Sequence, residues 1–268
     1  DTLTFITDTG GGFDILWASA QEEFEFPTYN EEIRGREIKA VSWDALSFED
    51  SAISEDLLEG GLIVYPAPPS MPESDGFIGG SFFINHAWFF DYENGVMGAM
   101  DENYQSEYSP ANRVLMFLDR DDEGNVTGIH SALDVVIDGD TARMLFDTGA
   151  TLLPTDAGRE VISTQGLSSY SASYMSEKRM DELHAKHPDW RYVDGGDMGG
   201  KSNLLEVPAV RIGDQTTGKV WFASRPKSNF VEINGENLDG AIGGSALKYF
   251  KVLADYKTGY FDFALIED

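Results

Sequence analysis

The tripeptide Asp8-Thr9-Gly10 occurs a second time as Asp147-Thr148-Gly149, and each copy ends a short apolar run. The runs are residues 3–7 before the first copy and residues 142–146 before the second. Such a run predicts a β-strand, and the tripeptide that follows it predicts a turn. Each copy therefore places one carboxylate at the junction of a strand and a turn.

A second repeated block lies downstream of each tripeptide. Residues 75–81, with the sequence Asp-Gly-Phe-Ile-Gly-Gly-Ser, recur at 239–245 as Asp-Gly-Ala-Ile-Gly-Gly-Ser. The match continues at constant spacing to Asp91-Tyr92 and Asp255-Tyr256. The chain is therefore predicted to contain two divergent copies of one unit. Two units that face each other would bring the two carboxylates together, which is a known way to activate water.

The composition and charge exclude several classes of protein. The 268 residues carry a formal net charge of −28, and such a surface repels nucleic acid and anionic lipid. No run of about 18 apolar residues is present, so no membrane span is predicted. Without cysteine the chain has no disulfide and no thiolate metal site. The acidic surface, together with a first residue that is not Met, favours an exported protein, periplasmic or extracellular.

The repeat predicts an N-terminal lobe over residues 1–105 and a longer C-terminal lobe over residues 106–268. A polar stretch at 101–112 is predicted to link them. Short strands separated by Gly and Pro turns predict a mostly β fold with minor helix. One helix is predicted at 176–187, as an insertion in the second lobe, because Ser176 can cap it and Pro188 follows it.

The two Asp residues differ in what precedes their strands. Ahead of Asp147, a strand at 126–137, a tight turn at Asp138-Gly139-Asp140 and a strand at 141–146 predict a hairpin. Only seven residues precede Asp8. The strand that would complete the same hairpin in the first unit is therefore either missing from this stretch of chain or replaced by another part of it.

A pair of carboxylates has a chemistry that a single one lacks. Two carboxylates about 3 Å apart cannot both ionise, so they share one proton and titrate as a pair. The ionised member can take a proton from water, and the protonated member can polarise a carbonyl group. Gly10 and Gly149 leave space for the partner carboxylate, and the hydroxyls of Thr9 and Thr148 can join the two loops.

In these blocks the chain resembles the aspartic peptidases, whose halves each carry a hydrophobic-Asp-Thr-Gly segment and a later hydrophobic-hydrophobic-Gly segment. Residues 146–151 are similar to the retropepsin pattern. Ile78-Gly79 and Ile242-Gly243 match the later segment, which in the family threads beside the Asp loop in a psi-shaped motif. The resemblance implies a two-lobed acid-protease fold of pepsin-like or retropepsin-like β-barrels, with Asp8 and Asp147 as the catalytic dyad. It also implies a peptide or protein substrate, a monomer with both Asp residues in one cleft, and no metal or cofactor.

The chain departs from the pepsin pattern directly after each tripeptide. Pepsin-like enzymes usually carry Ser or Thr there, and its hydroxyl hydrogen-bonds the Asp. Here the positions hold Gly11 and Ala150. Because hydrogen bonds to an ionised carboxylate lower its pKa, their loss should raise the apparent pKa values of the pair. The expected activity is therefore at mildly acidic rather than strongly acidic pH.

A flexible hairpin that closes over the substrate is expected in this family. The glycine density of residues 194–200 favours a tip that contains Gly195, Gly196, Gly199 and Gly200. An ordinary surface loop is an equal alternative for this stretch. Residues 33–36 and the segment around Trp43 are weaker candidates in the first unit.

Two other functions are compatible with the same sequence. The fold can hold a peptide, glycan or protein partner in its cleft without cleaving it, or the enzyme can process a single dedicated substrate. Metal chemistry is disfavoured, because His184 and His187 suit a solvated helix end better than a zinc site. The segment from Asp119 begins like a calcium loop, but its twelfth position is His130 where Glu is needed.

Overall fold

The computed structural model describes residues 2–33, 35–46, 60–68, 74–84, 86–101, 104, 112–162, 169–230, 233 and 237–266. Within these ranges the protein is mostly β, with short helices and several sheets, none of which is closed. The predicted mostly β class is therefore confirmed. Most of the predicted linker at 101–112, including the boundary between residues 105 and 106, lies outside the described residues.

The first sheet contains six strands from the N-terminal part of the chain. They are β1 (Phe5–Thr7), β2 (Ile15–Trp17), β3 (Tyr29–Ile33), β4 (Arg36–Ser42), β5 (Gly61–Tyr65) and β6 (Gly76–Ile78). Their order across the sheet is β1-β6-β2-β5-β4-β3. The apolar run before Asp8 forms β1, which pairs in parallel with β6 and places Thr7 opposite Ile78.

The other described strands form three further sheets. In chain order they are β7 (Ala87–Asp91), β8 (Val96–Ala99), β9 (Arg113–Leu115), β10 (Ala132–Ile137), β11 (Asp140–Phe146), β12 (Thr151–Leu152), β13 (Tyr170–Ser171), β14 (Ser173–Ser176), β15 (Tyr192–Asp197), β16 (Ser202–Val207), β17 (Arg211–Ile212), β18 (Gln215–Thr216), β19 (Val220–Arg225), β20 (Gly240–Ile242), β21 (Phe250–Asp255) and β22 (Tyr260–Leu265). A nine-stranded sheet has the order β15-β16-β19-β14-β20-β11-β10-β17-β18, and β12 pairs with β13. A five-stranded sheet, β8-β7-β21-β22-β9, combines strands from both halves of the chain.

The strands that carry the two Asp-Thr-Gly loops occupy equivalent places in the two large sheets. The order β1-β6-β2-β5-β4-β3 has the same pairing directions as the order β11-β20-β14-β19-β16-β15. In both sheets the strand before the Asp runs parallel to the strand of the repeated Ile-Gly-Gly block. The repeat seen in the sequence is therefore a repeat of strand topology.

The two sheets differ on the outer side of the strand before the Asp. In the second unit β10 pairs antiparallel with β11. The tight turn between them, Asp138-Gly139, has φ values of 55° and 86°, as the predicted hairpin requires. In the first unit β1 has no strand on its outer side within the part of the chain that the structure describes.

The strand predicted to begin at Val126 begins only at Ala132, so that part of the prediction is wrong. The intervening residues leave the sheet because they run past the first Asp loop. The Ile129 side chain lies 3.6 Å from where a Cβ on Gly12 would stand. Contact with the first Asp loop, rather than local strand propensity, decides the path of this segment.

Short helices connect the strands. They are α1 (Ala18–Glu23), α2 (Gly80–Phe83), α3 (Asp156–Val161), α4 (Glu177–Lys186) and α5 (Gly244–Leu247). The helix predicted at 176–187 is α4, and the Ser176 hydroxyl accepts a hydrogen bond from the Arg179 N–H as the predicted cap. Its buried residues Met180 and Leu183 attach it to the core.

An aromatic core packs against the strand that leads to Asp147. Aromatic residues of β7 and β22 form part of this core, and Trp88 and Phe261 are fully buried there. The ring of Phe146 lies 4.7 Å from that of Phe261 and 5.9 Å from that of Phe90. Full burial of such a side chain contributes roughly 1.5–3 kcal/mol, so the core holds the residue directly before Asp147 firmly in place.

Asp14 is a buried carboxyl group beside the first Ile-Gly-Gly segment. Its oxygens accept hydrogen bonds from the Gly79 N–H at 2.8 Å and from the Ser81 hydroxyl at 3.0 Å. In the second unit the neutral hydroxyl of Ser173 takes the equivalent place and accepts from the Gly243 N–H at 3.0 Å. Burial raises the pKa of Asp14 to about 7, although both of its hydrogen bonds act in the opposite direction.

We expect Asp14 to make the free energy of unfolding fall as the pH rises from about 4 to about 7. In this window the folded protein keeps a proton on Asp14 that the unfolded chain has lost, because folding raises the pKa from 3.8 to about 7. The resulting penalty is complete above pH 7 and amounts to about 4 kcal/mol at most. Asp14→Asn cannot ionise and should remove this part of the pH dependence in urea unfolding. Asp14→Ser, which copies Ser173, is the matched control, and an unchanged pH slope in both variants would contradict the assignment.

Candidate active site

Each Asp-Thr-Gly loop lies beside the strand of a repeated Ile-Gly-Gly block. The Asp8 N–H donates to the Ile78 carbonyl oxygen at 2.8 Å, and the Asp147 N–H donates to the Ile242 carbonyl oxygen at 3.0 Å. These equivalent bonds extend the parallel pairs β1–β6 and β11–β20 as far as the two carboxyl groups. The segments that the sequence assigns to a psi-shaped motif are therefore direct neighbours of the two Asp residues.

Glycine is needed in these segments because backbone passes too close for a side chain. A Cβ on Gly79 would stand 2.5 Å from the Phe13 carbonyl oxygen. A Cβ on Gly243 would stand 2.8 Å from the Asp147 carbonyl oxygen and 2.7 Å from the Ala150 Cβ. Only a residue without Cβ lets the chain run beside each Asp loop at this distance.

Reciprocal hydrogen bonds between Thr9 and Thr148 join the two loops. The Thr148 hydroxyl accepts from the Thr9 N–H at 3.1 Å, and the Thr9 hydroxyl accepts from the Thr148 N–H at 3.0 Å. Each hydroxyl also donates to the opposite strand, Thr9 to the Phe146 carbonyl oxygen at 2.8 Å and Thr148 to that of Thr7 at 2.9 Å. This two-fold pattern holds the loops in one fixed relation to each other.

The same two-fold pattern places each carboxyl group against the glycine of the other loop. A Cβ on Gly10 would stand 2.5 Å from Cγ of Asp147, and a Cβ on Gly149 would collide with the Asp8 carboxyl group in the same way. A side-chain hydrogen bond joins Asp8 and Asp147. The structure thus brings together all the residues that the sequence places in the two Asp loops.

Burial raises the pKa of both carboxyl groups. For Asp8 this effect is opposed by hydrogen bonds from Asp147 and from the Gly11 and Gly10 N–H groups. For Asp147 burial is reinforced by the charge of Asp8 and by the hydrogen bond between the two, so its pKa lies well above the ordinary value. Two carboxyl groups in this arrangement share one proton and titrate as a pair, and the directions of the two shifts favour Asp8 as the ionised member.

Backbone groups, rather than hydroxyls, supply the hydrogen bonds directly around each carboxyl group. The Gly11 N–H donates to Oδ1 of Asp8 at 2.8 Å, and the Gly149 N–H donates to Oδ1 of Asp147 at 3.0 Å. Neither Gly11 nor Ala150 has a hydroxyl that adds to them. Burial is the largest cause of the raised pKa values of the pair, so a contribution from the missing hydroxyls stays a prediction.

Three residues near the dyad are not among those that the sequence motifs predict. His130 lies close enough for its charge to lower the pKa of Asp8, while burial lowers the pKa of His130 itself. Burial, and then the charge of Asp147, raise the pKa of Tyr92. Burial raises the pKa of Tyr174 to about 12. The repeated Asp-Tyr pair is a sequence signal for Tyr92, whereas no local pattern marks the other two.

The glycines predicted as a flap tip lie in the hairpin formed by β15 and β16. By strand order the equivalent hairpin of the first unit is β3–β4, whose strands pair as far as Ile33 and Arg36. A Cβ on Gly35 would meet no atom within 4 Å, although Arg34 lies outside the described residues. Trp43, in the other weak candidate, is buried in the core. The four glycines of the predicted flap tip lie in β15 and in the turn that follows it; they are Gly195, Gly196, Gly199 and Gly200.

The β15–β16 hairpin is fastened to the chain that follows the second Asp loop. Oδ1 of Asp197 accepts from the Leu153 N–H at 2.6 Å, and the Thr155 N–H donates to the Gly196 carbonyl oxygen at 3.0 Å. Asp197 also forms a buried ion pair with Arg225 at 2.9 Å. These contacts fix the base and one side of the turn, and closure of this hairpin over a substrate stays a prediction.

Other clusters of polar side chains form local contacts. His187 Nε2 lies 2.8 Å from Asp138, and the His184 ring stacks on Tyr192 at 4.0 Å. Among the residues that the structure describes, no group of three or more His, Asp or Glu side chains is arranged to hold a metal ion. No helix within the described ranges is both long and apolar enough to cross a membrane.

We expect the Thr9 hydroxyl to hold the two loops together. Thr9→Val should lower the free energy of unfolding by about 1–3 kcal/mol, because the Phe146 carbonyl and the Thr148 N–H each lose a buried hydrogen-bond partner. Thr9→Ser keeps the hydroxyl and should retain most of the stability. Denaturant unfolding of both variants provides the measurement, and equal losses in both would show that the methyl group, not the hydroxyl, matters.

Comparison with known proteins gives no family assignment. No model of a protein family matches the chain. A search of curated proteins also finds no match. The function is therefore argued from the geometry and electrostatics of the two Asp loops.

Proposed function

We propose that the protein is an aspartic endopeptidase that hydrolyses peptide bonds with water held between Asp8 and Asp147. The observation that carries the proposal is the buried, hydrogen-bonded pair of carboxyl groups on loops joined by Thr9 and Thr148. Burial of two neighbouring carboxylates costs free energy, and burial together with the charge of Asp8 raises the pKa of Asp147 well above its ordinary value. Perturbed pairs of this kind are typical of sites that move protons.

The asymmetry of the pair assigns a role to each carboxyl group. Asp8, which ionises first, acts as general base and takes a proton from the water molecule. The oxygen of that water molecule attacks the peptide carbonyl carbon at the same time. Asp147 gives its proton to the carbonyl oxygen, and the product of this step is a tetrahedral diol. The proton on Asp8 then passes to the peptide nitrogen, the C–N bond breaks, and Asp147 takes back a proton from the diol. No covalent bond to the enzyme forms.

The equivalent strand orders of the two large sheets support a two-lobed, pepsin-like or retropepsin-like arrangement within one chain. We propose a monomer, because a single chain provides both carboxyl groups. Of the two equivalent hairpins, β3–β4 is the better candidate for a moving cover. The β15–β16 hairpin is held by the Asp197–Arg225 ion pair and by the Leu153 N–H, whereas no atom of another described residue, apart from its chain neighbours, lies within 4 Å of where a Cβ on Gly35 would stand.

Substitution of either carboxyl group should abolish peptide hydrolysis. We expect wild-type protein to cleave a mixture of unfolded proteins between about pH 3 and pH 7, with the new termini identified by mass spectrometry. Asp8→Asn and Asp147→Asn each remove one member of the proton-sharing pair, so both should reduce cleavage to background. Asp140→Asn, at an exposed position outside the site, is the matched control and should cleave normally.

Circular dichroism and urea unfolding establish that each variant is folded. Cleavage that persists in both dyad variants would exclude the proposed chemistry. A folded wild-type protein that is inert over the whole pH range would instead favour the alternative function, a module that binds a peptide or protein partner without cutting it.

The pH dependence should reflect the raised pKa values of the pair. Below the pKa of Asp8 no base is present, and above that of Asp147 no acid remains, so kcat/KM should follow a bell with a maximum at mildly acidic pH. Ala150→Ser adds a hydroxyl that can donate to the ionised Asp147 and should shift the bell to lower pH. Ala150→Gly, which adds no donor, is the control. A maximum near pH 2 in the wild type would contradict this account.

A further inference from the structure

A cavity of about 260 Å³ lies beside the joined threonines, and neither catalytic carboxyl group lines it. Its walls include Thr7, Thr148, Phe90, Tyr92, Val96 and Met97. The Tyr92 hydroxyl is buried and has no hydrogen-bond partner among the residues that the structure describes. Buried hydroxyls are almost always paired, so this one is an unused donor in a site with free volume.

The second unit shows what pairs with this tyrosine in the other copy. Tyr256 is the counterpart of Tyr92, and its hydroxyl lies 3.3 Å from the Ser131 hydroxyl. Ser131 directly precedes β10, and its carbonyl oxygen accepts from the Phe146 N–H at 2.8 Å. The partner of Tyr256 is therefore supplied by the chain that runs along the outer side of β11.

No described strand takes the same position in the first unit. The Asp8 N–H donates to the Ile78 carbonyl oxygen, and the Thr4 carbonyl oxygen accepts from the Asp75 N–H. Both groups therefore point to the side of β1 on which β6 lies. Because backbone groups alternate along a strand, the N–H groups of Phe5 and Thr7 point to the outer side of β1. No described strand lies there. Thr7 is the counterpart of Phe146, so the open edge lies where the counterpart of Ser131 would be, next to Tyr92.

The cavity is also larger than a serine side chain needs. In the second unit the rings of Phe146 and Phe261 fill the corresponding space, with their centres 4.7 Å apart. Their counterparts are Thr7 and Met97, which are smaller or more flexible and line the cavity. A residue placed opposite Thr7 therefore has room for a long side chain that ends in a hydrogen-bonding group.

We propose that the outer edge of β1 and this cavity bind an extended segment of a separate polypeptide. The segment runs antiparallel to β1 and places a long, neutral, polar-tipped side chain opposite Thr7, where it pairs with the Tyr92 hydroxyl. Glutamine fits this description. A carboxylate does not, because it would add negative charge beside the Asp91 side chain that also lines the cavity. The net charge of −28 favours a segment that is cationic elsewhere. The site does not depend on the proposed peptidase function.

The probe is an N-acetylated peptide with the sequence of residues 131–137 and the changes Ser131→Gln and Asp134→Lys. Isothermal titration calorimetry with the full chain should show binding of one peptide per protein. A control peptide with Ser131→Ala in place of Ser131→Gln, and otherwise the same, should bind about tenfold more weakly, because it cannot pair with the Tyr92 hydroxyl. In Tyr92→Phe protein the two peptides should bind equally. Tyr256→Phe is the matched control and should preserve their difference.

Methylation of peptide nitrogens tests pairing with the strand edge. In β10 the Ala132 N–H points away from β11 and bonds to the Phe117 carbonyl oxygen. A methyl group on the peptide nitrogen equivalent to that of Leu133 should therefore abolish binding to β1, whereas one at Ala132 should be tolerated. This contrast distinguishes a strand from a peptide that binds elsewhere, including between the two Asp loops.

Two further measurements test the stability of the variants and whether a second copy of the chain, instead of a separate polypeptide, occupies the edge of β1. Without peptide, Tyr92→Phe should leave the melting temperature unchanged or raise it, since its hydroxyl has no partner, whereas Tyr256→Phe should lower it. Absence of peptide binding at millimolar concentration would overturn the proposal, as would equal effects of the two methylations. A dimer in sedimentation that the peptide does not dissociate would assign the edge to a second copy of the chain and would also overturn it.

Discussion

The placement of two carboxyl groups against each other, away from water, constrains the structure on every side. Each group loses hydration, and each repels the charge of the other, so the pair is stable only with one shared proton and with donors aimed at its oxygens. The Gly11 and Gly149 N–H groups provide such donors. The absence of a Cβ on Gly10 makes room for the Asp147 carboxyl group. The tripeptide thus combines an acid, a hydroxyl that joins the loops and a residue that leaves space.

The duplicated unit gives this site its two-fold symmetry, and sequence differences between the two copies make the surroundings of the two carboxyl groups unequal. The two large sheets share strand order and pairing directions, but equivalent positions carry different chemistry. Asp14 in the first unit corresponds to Ser173 in the second, and only the former adds a titrating group. His130 comes from the stretch that leads to the second Asp loop but acts on Asp8. Of these differences, His130 acts on the pair directly, because its charge favours the ionised form of Asp8.

Residues fixed by a local requirement could be predicted from the sequence. The loop glycines and threonines, the hairpin turn at Asp138-Gly139 and the cap at Ser176 each satisfy a need of their immediate neighbours. The late start of β10 could not be predicted, because contact of Ile129 with the other unit decides it. Nor could the fastening of the glycine-rich hairpin, which depends on side chains far apart in the sequence. The mostly β class follows from short patterns, whereas the path between strands depends on long-range contacts.

The hydrogen bonds between Thr9 and Thr148 join residues separated by 139 positions in the chain. Contacts over such distances form late in folding, because the entropy of closing a long loop opposes them until other structure is in place. Neither half alone holds more than one of the two acids. A nascent or partly folded chain therefore lacks the proton-sharing pair altogether. The pair is therefore assembled only when folding is nearly complete, because it needs both loops in their final positions.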